Sequence, residues 1–145
     1  MKYLSIDYGA KRVGLAVSDP LGAMAFPLGT IHRTTRDALF AELLRIITKE
    51  NIEAVVVGLP LSHDTGPNQV QGEQEQLIVR QVKNFAASLG RRIDLPIHLV
   101  DEYLTTQEAV ARLRESGVSG KRISQVKDAH AAVCILESFL ASQKP

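Results

Sequence analysis

The chain has 145 residues, 45% of them hydrophobic and 23% charged, which suits a single domain with one sizeable core and excludes a disordered or low-complexity chain. Seventeen basic and sixteen acidic residues leave a formal net charge of +1, so bulk charge identifies no partner. Any attraction for phosphate has to come from local clusters such as Lys11-Arg12, Arg33 with Arg36, Arg91-Arg92 and Lys121-Arg122.

Taken in chain order, residues 2–8 alternate, with Leu4 and Ile6 on one face and Tyr3, Ser5 and Asp7 on the other, and predict a strand closed by Gly9. After the turn Gly9-Ala10-Lys11-Arg12, residues 13–19 read as a second strand, and a third extended piece spans about 25–31. Residues 35–49 place Leu39, Leu43, Ile46 and Ile47 at helical spacing behind Thr34 or Thr35 as N-cap. The β-branched run 54–58 predicts a strand covered on both faces. A polar loop from Leu59 to about Asn68 leads to a helix ending near Leu89-Gly90, and residues 97–100 form a fifth strand. Thr105 and Glu108 match a capping box, and Gly117 to Gly120 separate that helix from a last one starting at about Ser124. The order βββαβαβαα predicts an α/β fold whose mixed five-stranded sheet, three antiparallel strands and then two parallel ones, is flanked by helices. We expect one domain over 1–141 and a short flexible tail at 142–145.

No apolar run approaches the roughly 20 residues of a membrane span, and the early run is closed by Asp7. Cys134 is the one cysteine, which excludes an intramolecular disulfide and a cysteine-cluster metal site. These features predict a soluble, cytoplasmic protein without a membrane partner.

Three carboxylates stand apart from the solvated majority. Asp7 ends the first strand beside a glycine, where open α/β sheets place ligand sites, although Asp-x-Gly alone reads equally as a turn cap. Asp101 and Glu102 repeat the arrangement after the fifth strand. Adjacent residues face opposite ways, and Glu102, with the longer reach, is preferred to Asp101. Asp128 heads a helical stripe continued by Ala132, Ile135 and Phe139. A carboxylate there needs a partner: Lys127, the helix N-terminus or a metal. Ala129, Ala131 and Ala132 let that helix approach the sheet and bring Asp128 toward Asp7.

Carboxylates gathered at neighbouring strand ends repel unless a cation lies between them. Oxygen donors without cysteine suit Mg²⁺ or Mn²⁺. Two such ions about 4 Å apart are the arrangement that hydrolyses phosphodiesters. The histidines at 32, 63, 98 and 130 show no paired ligand spacing, and only His130, near Asp128, merits mutation. The turn holding Lys11 and Arg12 reads either as a phosphate cradle or as a solvated basic turn. The segment Gly58-Leu59-Pro60 with Asp64, Gly66 and Asn68 reads as a substrate clamp or an exposed connection.

Asp7-Tyr8-Gly9 with Arg12 and Gly14, Val57-Gly58-Leu59-Pro60, Asp101-Glu102 with Thr105-Thr106, and Asp128 with Ala131-Ala132 and Ile135-Leu136 together resemble the YqgF/RuvX family over nearly the whole chain. The resemblance implies a ribonuclease H-like fold and a bacterial, cytoplasmic nuclease linked to maturation of the small-subunit ribosomal RNA precursor, with Holliday-junction resolution as the other proposed activity. By position, it puts the catalytic and metal-holding residues at Asp7, Glu102 and Asp128. Phosphate contacts are expected from Lys11, Arg12, Thr105, Thr106, Arg122 and Lys127. Two departures stand out: Tyr103 replaces the family's usual arginine after the Asp-Glu pair, and the loop after Pro60 is longer. Loss of that arginine removes a phosphate contact, while Tyr103 offers a ring for base stacking.

The expected partner is thus nucleic acid, precursor ribosomal RNA before branched DNA, for a monomer or a homodimer. The dimer suits symmetric cutting of a junction. A non-catalytic RNA or ribosome-assembly binding module is the alternative of a different class. An actin-like ATPase shares the opening Asp-x-Gly strand but needs two such domains.

Overall fold

Alternation along the first strand decides how the layers form. The computed structural model of the chain describes residues 1–60, 69–101 and 120–143, without the side chains of 69–75 and 120–128. Strand β1 (Tyr3–Tyr8) is followed by β2 (Arg12–Ser18) and β3 (Ala25–His32), helix α1 (Arg36–Lys49), β4 (Ala54–Leu59), α2 (Gln69–Gly90), β5 (Ile97–Asp101) and α3 (Gly120–Ser142). The five strands form one sheet in the order β3-β2-β1-β4-β5. β1 pairs antiparallel with β2, as β2 does with β3, whereas β1–β4 and β4–β5 are parallel. This is the expected architecture.

Leu4 and Ile6 join Leu39, Phe40, Leu43, Ile46, Val82, Phe85 and Leu89 in a core that α1 and α2 lay on one face of the sheet. On the other face Ala16 and Val56 meet Ala132, Ile135, Leu136 and Phe139 of α3. β4 is buried throughout and divides itself between the layers, Val55, Val57 and Leu59 on one side and Val56 on the other. That is why its sequence is continuously apolar rather than alternating.

Local chemistry sets the boundaries. The Thr35 hydroxyl accepts a hydrogen bond from the Ala38 amide at 3.1 Å, while Asp37 and Lys49 oppose the dipole of α1 at its two ends. Beyond Lys49 the chain turns at Asn51, whose φ of 55° is left-handed and tolerable for asparagine. Gly9 closes the β1–β2 turn by donating to the Arg12 carbonyl at 3.0 Å. A Cβ at position 9 would fall on that same oxygen inside van der Waals contact. β2 begins and ends one residue earlier than expected. Asp19 leaves the strand because its carboxylate accepts from the Ala23 and Met24 amides at 2.7 Å each, a local alternative to the ladder. α3 begins at Gly120, ahead of the expected Ser124. The expected helix after Thr105, the loop from 61 to 68 and residues 144 and 145 of the tail lie outside the described residues. No described helix is long and apolar enough to cross a membrane.

Candidate functional site

The parallel pairing of β1, β4 and β5 brings three strand C-termini to one edge of the sheet. β1 lies between an antiparallel and a parallel neighbour, a position where α/β sheets bind ligands. Asp7 is half-buried near the end of β1. Its face follows from its neighbours two residues apart. The Ser5 hydroxyl donates to the Ala132 carbonyl of α3 at 2.6 Å, and the Tyr3 ring meets the Phe139 ring edge-on at 5.2 Å. Tyr3, Ser5 and Asp7 therefore all point to the α3 side.

Helix and strand run in opposite directions. From Tyr3 to Ser5 the partner on α3 moves from Phe139 back to Ala132. Such close approach needs small side chains on the helix, and Ala129, Ala131 and Ala132 are buried at 7%, 3% and 0% exposure. Across the β1–β2 ladder Asp7 is registered with Gly14, and the next position of the β1–β4 ladder, after Ile6 with Val57, is Gly58. Neither sheet neighbour of Asp7 carries a side chain, so nothing on β2 or β4 stands directly beside the carboxylate. The glycines were visible in the sequence; their flanking of Asp7 follows only from the two registers.

Asp101 is registered with Leu59, which belongs to the α1–α2 core. Val100, one residue earlier, packs with the α3 layer. The pleat thus turns Asp101 away from the face that holds Asp7. Glu102, Tyr103, Thr105 and Thr106 lie outside the described residues. Arg122, Lys127 and Asp128 belong to the backbone of α3, with Asp128 one helical turn before Ala132, and their side chains are not among those described. Lys11 is exposed and Arg12 half-buried at the β1–β2 turn. Carboxylate oxygens such as those of Asp7 are the donors that Mg²⁺ and Mn²⁺ prefer.

The opposite face of the same edge holds a group that was not singled out in the sequence beyond its charge. Tyr8 stacks on Phe85 with ring centroids 4.3 Å apart, and the Arg33 guanidinium lies 4.6 Å from the Tyr8 ring centroid. Arg33 also donates to the carbonyls of Gly9 and Ala10 at 2.9 and 3.2 Å, which ties the basic turn to this face. The pairs Arg33 with Arg36 and Arg91-Arg92, over fifty residues apart in sequence, converge around α2. No local pattern in the sequence signals that meeting.

A mixed five-stranded sheet in this order, with helices on both faces and an aspartate at the C-terminal end of the first strand, is a ribonuclease H-like α/β fold. The structure resembles Thermus thermophilus RuvC solved in complex with a Holliday junction substrate, at a TM-score of 0.51 and 19% identity over 98% of this chain and 95% of that one. It also resembles the fowlpox virus Holliday junction resolvase, at a TM-score of 0.58 and 12% identity over 99% and 100% of the two chains. At such identities these likenesses speak for the fold. The family model of RuvX, described as Holliday junction resolvase, matches residues 1–142. A relative from Maridesulfovibrio salexigens that bears the name "Putative pre-16S rRNA nuclease" is 53% identical over 141 residues, covering 97% of this chain and 98% of the relative. The chain belongs to the RuvX family.

Proposed function

We propose that this chain is a metal-dependent nuclease that hydrolyses phosphodiester bonds in the small-subunit ribosomal RNA precursor, in maturation of its 5′ end in the cytoplasm. Residues 1–141 form its nuclease domain. The observation that carries this reading is the antiparallel step of α3 along β1. Two strand residues advance about 6.6 Å and one helical turn about 5.4 Å. Since Phe139 lies against Tyr3 and Ala132 over Ser5, the next residue on that face, Asp7, is directed toward the turn of α3 that begins at Asp128. Asp101 is turned to the α1–α2 side, which disfavours it, and Glu102 is taken as the third carboxylate of the set. The assignment of the site to Asp7, Glu102 and Asp128, with Asp101 less favoured, rests on the antiparallel step together with the family resemblance.

These three carboxylates would hold a pair of hard cations, Mg²⁺ or Mn²⁺, which when bound supply activation of a water and stabilisation of the leaving oxygen. The protein's own share is to hold the strand in line and to gather phosphate contacts. Lys11, Arg12, Thr105, Thr106, Arg122 and Lys127 are assigned to that task. Tyr103 offers a stacking ring in place of a guanidinium. The name borne by the relative that is 53% identical supports ribosomal RNA as the substrate.

The description of the matching family favours a second reading, resolution of branched DNA by a homodimer. One experiment separates the two. The purified protein is incubated with Mn²⁺ or Mg²⁺ and labelled single-stranded RNA, a precursor-rRNA end or a four-way DNA junction. Cleavage of the rRNA end, abolished by Asp7→Asn, Glu102→Gln and Asp128→Asn, is the expected outcome. Cleavage of the junction alone moves the substrate to DNA. A folded protein that binds RNA and cuts nothing is a binding module instead.

A further inference from the structure

Helices α1 and α2 and the end of β1 border a cavity of about 410 Å³ lined by Tyr8, Arg33, Arg36, Phe40, Gln81, Asn84 and Phe85 among others, with no carboxylate in its lining among the described residues. Four guanidiniums meet at or beside it. Ser88, 2% exposed, is the point that gathers three of them. Its hydroxyl accepts from Arg36 and, at 3.0 Å, from Arg91, while its carbonyl accepts from Arg92 at 2.8 Å. Arg92 also lies 4.1 Å from the Phe40 ring centroid, and Arg33 covers Tyr8. Phe40 and Tyr8 both stack on Phe85, at 5.7 and 4.3 Å, so the aromatic platform under the arginines is continuous.

Two cations elsewhere among the described residues are paired with carboxylates. Arg45 makes a two-pronged contact with Glu42, and Lys2 meets Glu50 at 3.3 Å. The groove arginines, by contrast, contact only carbonyls, a hydroxyl and ring faces among the described residues. Like charges drawn together without a counter-charge repel, and binding of an anion relieves that repulsion. Guanidiniums held by stacking and by one or two hydrogen bonds still present donors in a planar fork that matches a phosphate.

We infer that this groove is a second nucleic-acid subsite, which holds backbone phosphates of a single strand on the face of the sheet opposite Asp7. Tyr8 and Asp7 are consecutive on β1, with Cα atoms about 3.8 Å apart and side chains on opposite faces. A strand crossing that edge meets the acidic site on one side and the arginine groove on the other. The inference rests on the nucleic-acid reading above and deepens it by naming where the strand is gripped. Because phosphates carry no sequence or sugar information, RNA and DNA are held alike there.

The test is binding without metal. Fluorescence anisotropy in EDTA is measured for labelled oligouridylate and oligothymidylate of about 12 nucleotides, at salt concentrations between about 50 and 200 mM. Replacing both Arg36 and Arg92 by alanine is expected to weaken binding of each strand roughly tenfold at the lowest salt and to flatten the log–log salt slope by about 1.4, the loss of two phosphate contacts. Asn84→Glu, which puts a negative charge in the lining without removing a packed arginine, is expected to weaken binding as well, and it decides the matter if the double variant does not fold. Wild-type affinity and slope in both folded variants would overturn the inference, as would a wild-type chain that binds neither strand. A wild-type chain that binds, loses binding in the variants and yet cuts nothing defeats the nuclease reading and leaves the groove standing. Cleavage with binding unchanged in the variants does the reverse.

Discussion

The two faces of the sheet are packed by different means. Where α3 crosses the end of β1 it presents the buried Ala129, Ala131 and Ala132, so the helix comes close enough for Ser5 to donate to a main-chain carbonyl of α3. The α1–α2 face is filled by Leu39, Phe40, Leu43, Val82, Phe85 and Leu89, and those helices stand off far enough to leave an arginine-lined cavity at the sheet edge. Close approach aims one strand-end carboxylate at one helix, whereas large side chains on the other face leave room for a strand beside them. One edge thus offers Asp7 on one face and the arginines on the other, and the order of side chains along β1 separates them.

The comparison can be broken most sharply at Asp7. Asp7→Asn is expected to reduce cleavage by more than about 100-fold, since even residues that merely support metal ligands are worth 10–100-fold, while the thermal transition stays cooperative. The check is a cleavage time course beside a melting curve. Next in size, Leu43→Ala on the α1–α2 face should cost about 2–5 kcal/mol in denaturant unfolding, because Leu43 is completely buried and the surrounding core refills a cavity only in part.

On the α3 face the sign of the volume change matters in the other direction. Ala132→Leu should cost about 1–3 kcal/mol by overpacking, and it should reduce cleavage as well, by lifting α3 from β1. A variant as stable as wild type would contradict the close approach. Ser5→Ala removes one buried hydrogen bond and should cost about 1 kcal/mol, read from the same unfolding curves.

The smallest effect is expected far from both faces. The backbone amides of Met24, then Ala23, hold the Asp19 carboxylate below its usual pKa. A carboxyl whose pKa is lowered on folding stabilises above its unfolded value, and that contribution is lost as pH falls through the folded one. The stability gap between wild type and Asp19→Ala should therefore be constant near neutrality and narrow once pH drops below the ordinary carboxylate value of 3.8. Melting temperatures at several pH values check this.

Alternation along residues 3–8, the helical spacing of Leu39, Leu43, Ile46 and Ile47, and the apolar run at 54–58 were enough to obtain the strands, the first helix and the mixed sheet, because each is a short-range pattern imposed by burial. The same patterns put Asp7 opposite Leu4 and Ile6 and set Asp128 at the head of the stripe through Ala132, Ile135 and Phe139. Which way α3 runs across β1, the two glycines that flank Asp7 and the side of the pleat that Asp101 occupies depend on register between strands and on helix docking. Those are relations between distant segments that no local pattern encodes. The arginine groove belongs to this second kind. Arg33 and Arg36 precede α1, or open it, and Arg91 and Arg92 follow α2, so only the packing of the two helices around Ser88 and Phe85 makes one basic site of two unremarkable pairs.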